Sequence, residues 1–148
     1  MVQFDGATVG CQPPHLMVLK GLAMVPEGRR LFTGMSVEDN LQVAMDHACT
    51  IGPAIWSLQR IYAVFPILKE KRHTQVESLP GGQQQMVAIG RGLLCQPRVL
   101  LCDEISLGLA PKVIPEIYPA LPEITAAGTA LILVQQDVCL AKSASNRL

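Results

Sequence analysis

Leu79–Pro111 reads LPGGQQQMVAIGRGLLCQPRVLLCDEISLGLAP, and the order of its parts decides the fold. A Pro-Gly-Gly turn opens onto Met86, Ile89 and Leu93, apolar residues at helical spacing, and Cys95 and Pro97 close that helix. Val99–Cys102 then forms a short apolar run that stops on Asp103 and Glu104. A second such run, Ala130–Val134, stops on Gln135, Gln136 and Asp137. Runs this short and apolar at every position suit strands buried on both faces of a parallel sheet. Two of them joined by a helix-length connector make a βαβ unit, whose ligands collect at the carboxyl ends of the strands. The expected fold class is therefore α/β.

Working outward, Gly21–Val25 is another apolar run, closed by Pro26, Glu27 and Gly28, and reads as a strand entering a loop. Ser36 and Asp39 have the spacing of a capping box, and Val37, Leu41, Ala44 and Ala48 recur on one helical face. Ile55, Leu58, Tyr62 and Phe65 predict a further helix, which Pro66 breaks or kinks. Residues 36–75 thus read as a small helical layer. In the connector, Val113, Ile117, Leu121 and Ile124 keep helical spacing, but Pro115, Pro119 and Pro122 interrupt it. At about 3 kcal/mol for each interior proline, the last two predict a kinked or frayed helix and a marginally folded chain.

Composition narrows the function. The 148 residues suffice for one domain and one core. Only 16% are charged and 49% are hydrophobic, against about 25% charged on average, so apolar area must reach the surface and a partner surface is expected. Twelve basic residues balance twelve acidic ones, so no net field draws the chain to nucleic acid or anionic lipid. Five widely spaced cysteines suit reduced, buried thiols and a cytoplasmic protein better than a disulfide framework. No leader pattern and no run of membrane-spanning length is present, so any membrane role is expected to come through a partner. His15, His47 and His73 show no metal-ligand spacing with the cysteines.

Asp103 and Glu104 carry the sharpest chemistry. A carboxylate at the tip of a buried strand can hold hydrated Mg²⁺, and its neighbour can orient or deprotonate an attacking water. The same pair can also simply begin a loop and favour the dipole of the next helix. Gly81 and Gly82 would point unhindered N–H groups at an anion in front of their helix, although a lone Pro-Gly-Gly is more often a plain turn.

Taken together, Leu79–Pro111 resembles the signature, Walker B and D-loop block of ABC transporter ATPases. GLAMVPEGRRLFTGMSVEDNL, residues 21–41, is similar to the Q-loop and the start of the helical subdomain in ATPase subunits of branched-chain amino acid importers. FDG at 4–6 and LILVQQDVCLA at 131–141 fit the same subfamily. The resemblance implies part of a P-loop NTPase sheet, with the sheet segment and Q-loop in residues 1–35, the helical subdomain in 36–78, and the signature, Walker B, D-loop and switch region in 79–148.

Residue by residue, it implies that Leu79, Pro80, Gly81, Gly82 and Gln83 form the signature, with Glu27 in the Q-loop and Ser106 in the D-loop, all facing nucleotide. Asp103 becomes the magnesium-side carboxylate, Glu104 the catalytic base, and Gln136 stands where many relatives have the switch histidine. The implied cofactors are ATP and Mg²⁺. The implied partners are a second ATPase subunit and membrane permease subunits, which would hold the chain at the cytoplasmic side of the membrane with no insertion of its own and no nucleic acid.

Two departures qualify the match. The family's phosphate loop, GxxxxGKS/T, does not occur in the sequence, and the chain is expected to begin after it. The family's signature serine is Pro80. Proline suits a helix start, so the turn should survive, but one donor to the γ-phosphate is lost, at about 3 kcal/mol in the transition state by analogy with other preorganised donors. Ile105 replaces the proline that usually follows the Walker B glutamate. The expected function is a truncated ATPase subunit of an amino acid importer; the alternative is a non-catalytic pseudo-subunit, or a decayed fragment, that at most docks on an intact ATPase.

Overall fold

The computed structural model describes residues 1–144. Asp5 and Gly6 both take positive φ, and that two-residue turn closes an antiparallel hairpin of β1 (Gln3–Phe4) and β2 (Ala7–Thr8). A six-residue helix, α1 (Pro14–Leu19), leads into β3 (Leu22–Val25). Then come α2 (Val37–Met45), α3 (Leu58–Val64) and α4 (Pro66–Glu70), a 3₁₀ turn at Val76–Ser78, and the long helix α5 (Gly81–Leu94). β4 (Val99–Asp103), α6 (Ile114–Ile117), α7 (Ala120–Ala126), β5 (Ala130–Val134) and α8 (Val138–Ala144) complete the order.

β3, β4 and β5 form a parallel sheet in that order. Met24 lies opposite Leu101 and Leu101 opposite Ile132, while Asp103 pairs with Val134. The expected strands and their parallel pairing are therefore present. The capping box is formed as well: Ser36 Oγ accepts from the Asp39 N–H at 3.1 Å, and the Asp39 carboxylate accepts from the Ser36 N–H at 3.2 Å. The Ser36 hydroxyl also donates to the Asp39 carboxylate at 2.6 Å, and that bond, with the Ser36 N–H, holds the Asp39 carboxyl below its ordinary pKa. The helix at 58–70 breaks at Phe65, as Pro66 demands, and Pro66 starts α4 where its missing N–H costs nothing.

One cluster of buried side chains runs from the helical layer through α5 to the sheet, including Leu41, Ile61, Leu68, Ile89, Leu93, Leu100 and Ile124. Two glycines of α5 permit this packing. A Cβ on Gly90 would stand 3.0 Å from a Leu41 methyl, and one on Gly92 2.8 Å from a Leu100 methyl.

One expectation fails. β5 is not buried on both faces: Leu131 and Leu133 pack against the core, whereas Ala130 is exposed and Ile132 and Val134, on the alternate face, are about half exposed. Met24 on β3 is exposed on the same sheet.

The connector helix is interrupted, as expected, but its prolines fall where they remove no helix bond. The connector divides into α6 and α7, with Pro115 in the first turn of α6, Pro119 capping α7 and Pro122 in the first turn of α7. The first four N–H groups of a helix have no intrahelical partner, so none of the three removes a helix bond. Replacing Pro119 and Pro122 by alanine is accordingly expected to change unfolding free energy by less than about 1 kcal/mol each, read from paired urea melts; a gain of several kcal/mol would restore the interior-proline account.

A polar clamp ties the helical layer to the base of the sheet. Gln96, at φ +56° between α5 and β4, accepts from the Ile55 and Trp56 N–H groups with one Oε1 and donates Nε2 to the Trp56 carbonyl. Trp56 is buried, and its indole N–H donates to Thr129 Oγ1 at 3.0 Å, which itself donates to the Pro97 carbonyl at 3.1 Å.

Candidate functional site

The parallel register gathers the polar residues that follow each strand. Val25 pairs with Cys102, and Asp103 with Val134, so Glu27, Asp103–Glu104 and Gln135–Gln136 all leave the sheet at its carboxyl edge. α5 runs back along β4 after the turn at 95–98, and its N-terminus with Gly81 and Gly82 therefore comes to the same end. Gly82 meets the segment after β4 there: a Cβ on it would fall 2.0 Å from a Val113 methyl, so only glycine fits.

Leu79 is buried and anchors the turn, and exposed Pro80 caps α5 in an extended conformation (φ −55°, ψ 149°). The Gln84 N–H donates to the Pro80 carbonyl at 3.0 Å, so the helix begins as expected despite the proline. α5 has no side-chain cap and no acidic residue in its first turn. Its first N–H groups are left for an outside acceptor. Gln83 brings a buried Oε1 with no hydrogen-bond partner.

Asp103 ends β4, and Glu104 follows at φ +49°, a left-handed conformation that costs a non-glycine residue about 1–2 kcal/mol. Its N–H donates to the Val134 carbonyl at 2.9 Å, which locks the kink to the tip of β5. Ser106 Oγ donates to Gln135 Oε1 at 2.7 Å, tying the turn after Glu104 to the same strand. Glu27 and Gln136 are exposed on that edge.

Sequence reasoning missed three neighbours. Gln135 has a buried Nε2 and Tyr118 a buried hydroxyl, both without a partner. Burial raises the Tyr118 phenol pKa; the Ser106 hydroxyl acts to lower it, and Asp137, Cys102 and Glu104 add to the rise. Arg29 lies against Gly81 and donates to Gln84. Only Gln135 had a local signal, its place at a strand tip.

The arrangement suits a phosphate and a hydrated divalent cation better than a protein-caged metal. Among the described residues no three His, Cys, Asp or Glu side chains cluster as metal ligands. Mg²⁺ is commonly held by one or two carboxylates together with nucleotide phosphates and water, and Asp103 is a carboxylate at the tip of β4. The orphaned Gln135 amide and the open first turn of α5 fit oxygen acceptors arriving from outside.

Residues 2–106 match the family model described as ABC transporter. The chain is 34% identical over 146 residues to the high-affinity branched-chain amino acid transport ATP-binding protein BraG of Pseudomonas aeruginosa, covering 99% of this chain and 62% of that protein. It is 31% identical over 157 residues to the ribose import ATP-binding protein RbsA of Chromobacterium violaceum, covering 99% of this chain and 31% of the relative. In fold it is similar to the ATP-binding cassette MJ0796 in a post-hydrolysis dimer bound to ADP and Pi, with a TM-score of 0.74 at 19% identity over 94% of this chain and 63% of that one. The ADP conformation of the cassette MJ1267 gives a TM-score of 0.71 at 18% identity, over 95% and 60%.

Proposed function

The chain belongs to the ABC transporter family, and from that premise we propose that it acts as part of the ATP-binding subunit of an importer for branched-chain or similar amino acids. The observation that carries this reading is the relation to BraG along 99% of the chain, joined to a sheet edge that collects Glu27, Asp103, Glu104 and Gln136. We assign residues 1–35 to the sheet segment and Q-loop, 36–78 to the helical subdomain and 79–148 to the signature, Walker B, D-loop and switch region; residues 145–148 of the last lie outside the described residues.

In this reading ATP and Mg²⁺ supply the phosphoryl group to be transferred and its charge neutralisation. With those groups bound, Asp103 would hold the metal side, Glu104 would take the proton of the attacking water, and Gln136 would serve the terminal phosphate. The N–H groups of Gly81, Gly82 and Gln83 would receive a phosphate, with Leu79 and Pro80 shaping the turn. Ser106 positions the loop after Glu104 through Gln135. The partners are a second ATPase subunit and membrane permease subunits. These partners would hold the chain at the cytoplasmic face of the membrane; no described helix is long and apolar enough to cross one.

A second reading, a non-catalytic pseudo-subunit or remnant docking on an intact ATPase, is favoured by Pro80 in the signature. Both readings require that this sequence alone grips nucleotide poorly, because it carries no GxxxxGKS/T cradle around the β-phosphate. Calorimetric titration with Mg-ATP is expected to show weak binding; a low-micromolar dissociation constant contradicts the assignment of Leu79–Gln83 as a signature that serves phosphate held elsewhere.

A further inference from the structure

Arg29 occupies an electrostatically awkward position. A side chain on Gly81 would begin 3.1 Å from a terminal guanidinium nitrogen of Arg29. Arg29 Nη1 donates to Gln84 Oε1 at 3.3 Å, and Gln84 Nε2 donates to the Leu79 carbonyl at 3.0 Å. The guanidinium is thereby held over the first turn of a 14-residue helix, whose N-terminus carries about half a positive charge. A cation belongs at the other end.

Among the described residues no carboxylate forms an ion pair with the Arg29 guanidinium. The ion pair among the described residues joins Arg98 to Asp5, elsewhere in the molecule. Glu77 lines the same cleft of about 240 Å³ as Arg29 and Gln84, yet both its carboxylate oxygens accept from the Gly34 N–H, at 3.0 and 3.1 Å. The loop is also strained into place: Gly28, Arg29 and Arg30 have φ of 76°, 64° and 45°, a conformation two arginines adopt at a cost.

An anion between the guanidinium and α5 would satisfy the charge, the helix dipole and the uncapped N–H groups together. We propose that Arg29 is a further phosphate-binding residue of the signature, donating to the terminal phosphate of a nucleoside triphosphate in place of the hydroxyl that Pro80 lacks. The inference rests on the reading of Leu79–Gln83 as a signature. It explains why the turn tolerates proline: the missing donor is replaced by a charged one, and guanidinium–phosphate hydrogen bonds are roughly twice as strong as neutral ones.

Amide NMR of the chain, titrated with inorganic phosphate and in parallel with Mg-ATP, tests this. Both ligands are expected to shift the Gly81, Gly82 and Gln83 resonances, Mg-ATP at the lower concentration. Arg29→Gln and Arg29→Gly should weaken both at least about tenfold, whereas Arg29→Lys should retain part of the affinity as a point charge. Glycine takes positive φ without strain, so the second variant separates lost binding from lost folding. Unchanged affinity in Arg29→Gly overturns the role of Arg29 and leaves the signature reading intact. Absence of any shift at Gly81–Gln83 in the parent overturns both. Stronger response to inorganic phosphate than to Mg-ATP overturns the nucleotide as the ligand.

Discussion

Glu104→Gln is expected to lower ATP turnover at least about a hundredfold, the lower bound for a positioned general base, in a fusion that places a family phosphate-loop segment ahead of Met1. Glutamine keeps the shape and removes the proton acceptor. The parent fusion should itself be slow, and Pro80→Ser should raise it by restoring a donor in the transition state, so the effect is best measured in the Pro80→Ser background. The backbone strain at Glu104 should persist in the glutamine variant, because φ +49° is imposed by the Val134 carbonyl and not by the carboxylate. A loss of turnover with unchanged Mg-ATP affinity marks a role in the chemical step. Equal turnover in Glu104→Gln would remove Glu104 from the mechanism.

The largest expected effect on stability is at Trp56. It is 3% exposed, its indole N–H is committed to Thr129, and Arg60 stacks over its ring at 4.9 Å. Trp56→Ala should cost about 3–5 kcal/mol, the range for emptying a large aromatic site, which rivals the lower end of the roughly 5–15 kcal/mol stability of a whole domain. Thr129 keeps its own bond to Pro97, so the loss is mainly one of packing. Trp56→Phe should cost clearly less. Because Trp56 is the single tryptophan, unfolding in urea is followed by circular dichroism. A midpoint for Trp56→Ala equal to the parent's would show that the helical layer is not held through this clamp.

Features encoded locally were legible in the sequence. The three strands are short apolar runs with polar stops, the capping box is a matter of two residues, and the break at Pro66 follows from a missing N–H. The tips of those strands carry Asp103, Glu104 and Gln136, so the polar edge could be placed as soon as the sheet was read as parallel. Burial of β5 could not, since whether Ile132 and Val134 are covered depends on what packs over the sheet and not on their own hydrophobicity.

The prolines of 115–122 announced the break in the connector but not its register: helical spacing says nothing of where one turn ends and the next begins, and at a first turn proline is harmless. The hairpin at residues 3–8 had a local signal in Asp5-Gly6, which a search for buried strands passes over. Trp56 meets Thr129 across 73 residues, and Arg29 meets Gln84 across 55. Spacing rules do not reach that far. The orphaned Tyr118 hydroxyl and Gln135 amide are likewise products of packing at the sheet edge.

The central claim is that this chain offers a signature turn to phosphate held on another polypeptide. The most direct test is Mg-ATP-dependent association with an intact ATPase subunit of the same family that carries GxxxxGKS/T and a glutamine in place of its catalytic glutamate, followed by size-exclusion chromatography with light scattering. A one-to-one assembly that forms with Mg-ATP and dissolves with Mg-ADP is the predicted result. No assembly in either nucleotide, or one indifferent to which is present, would contradict the account.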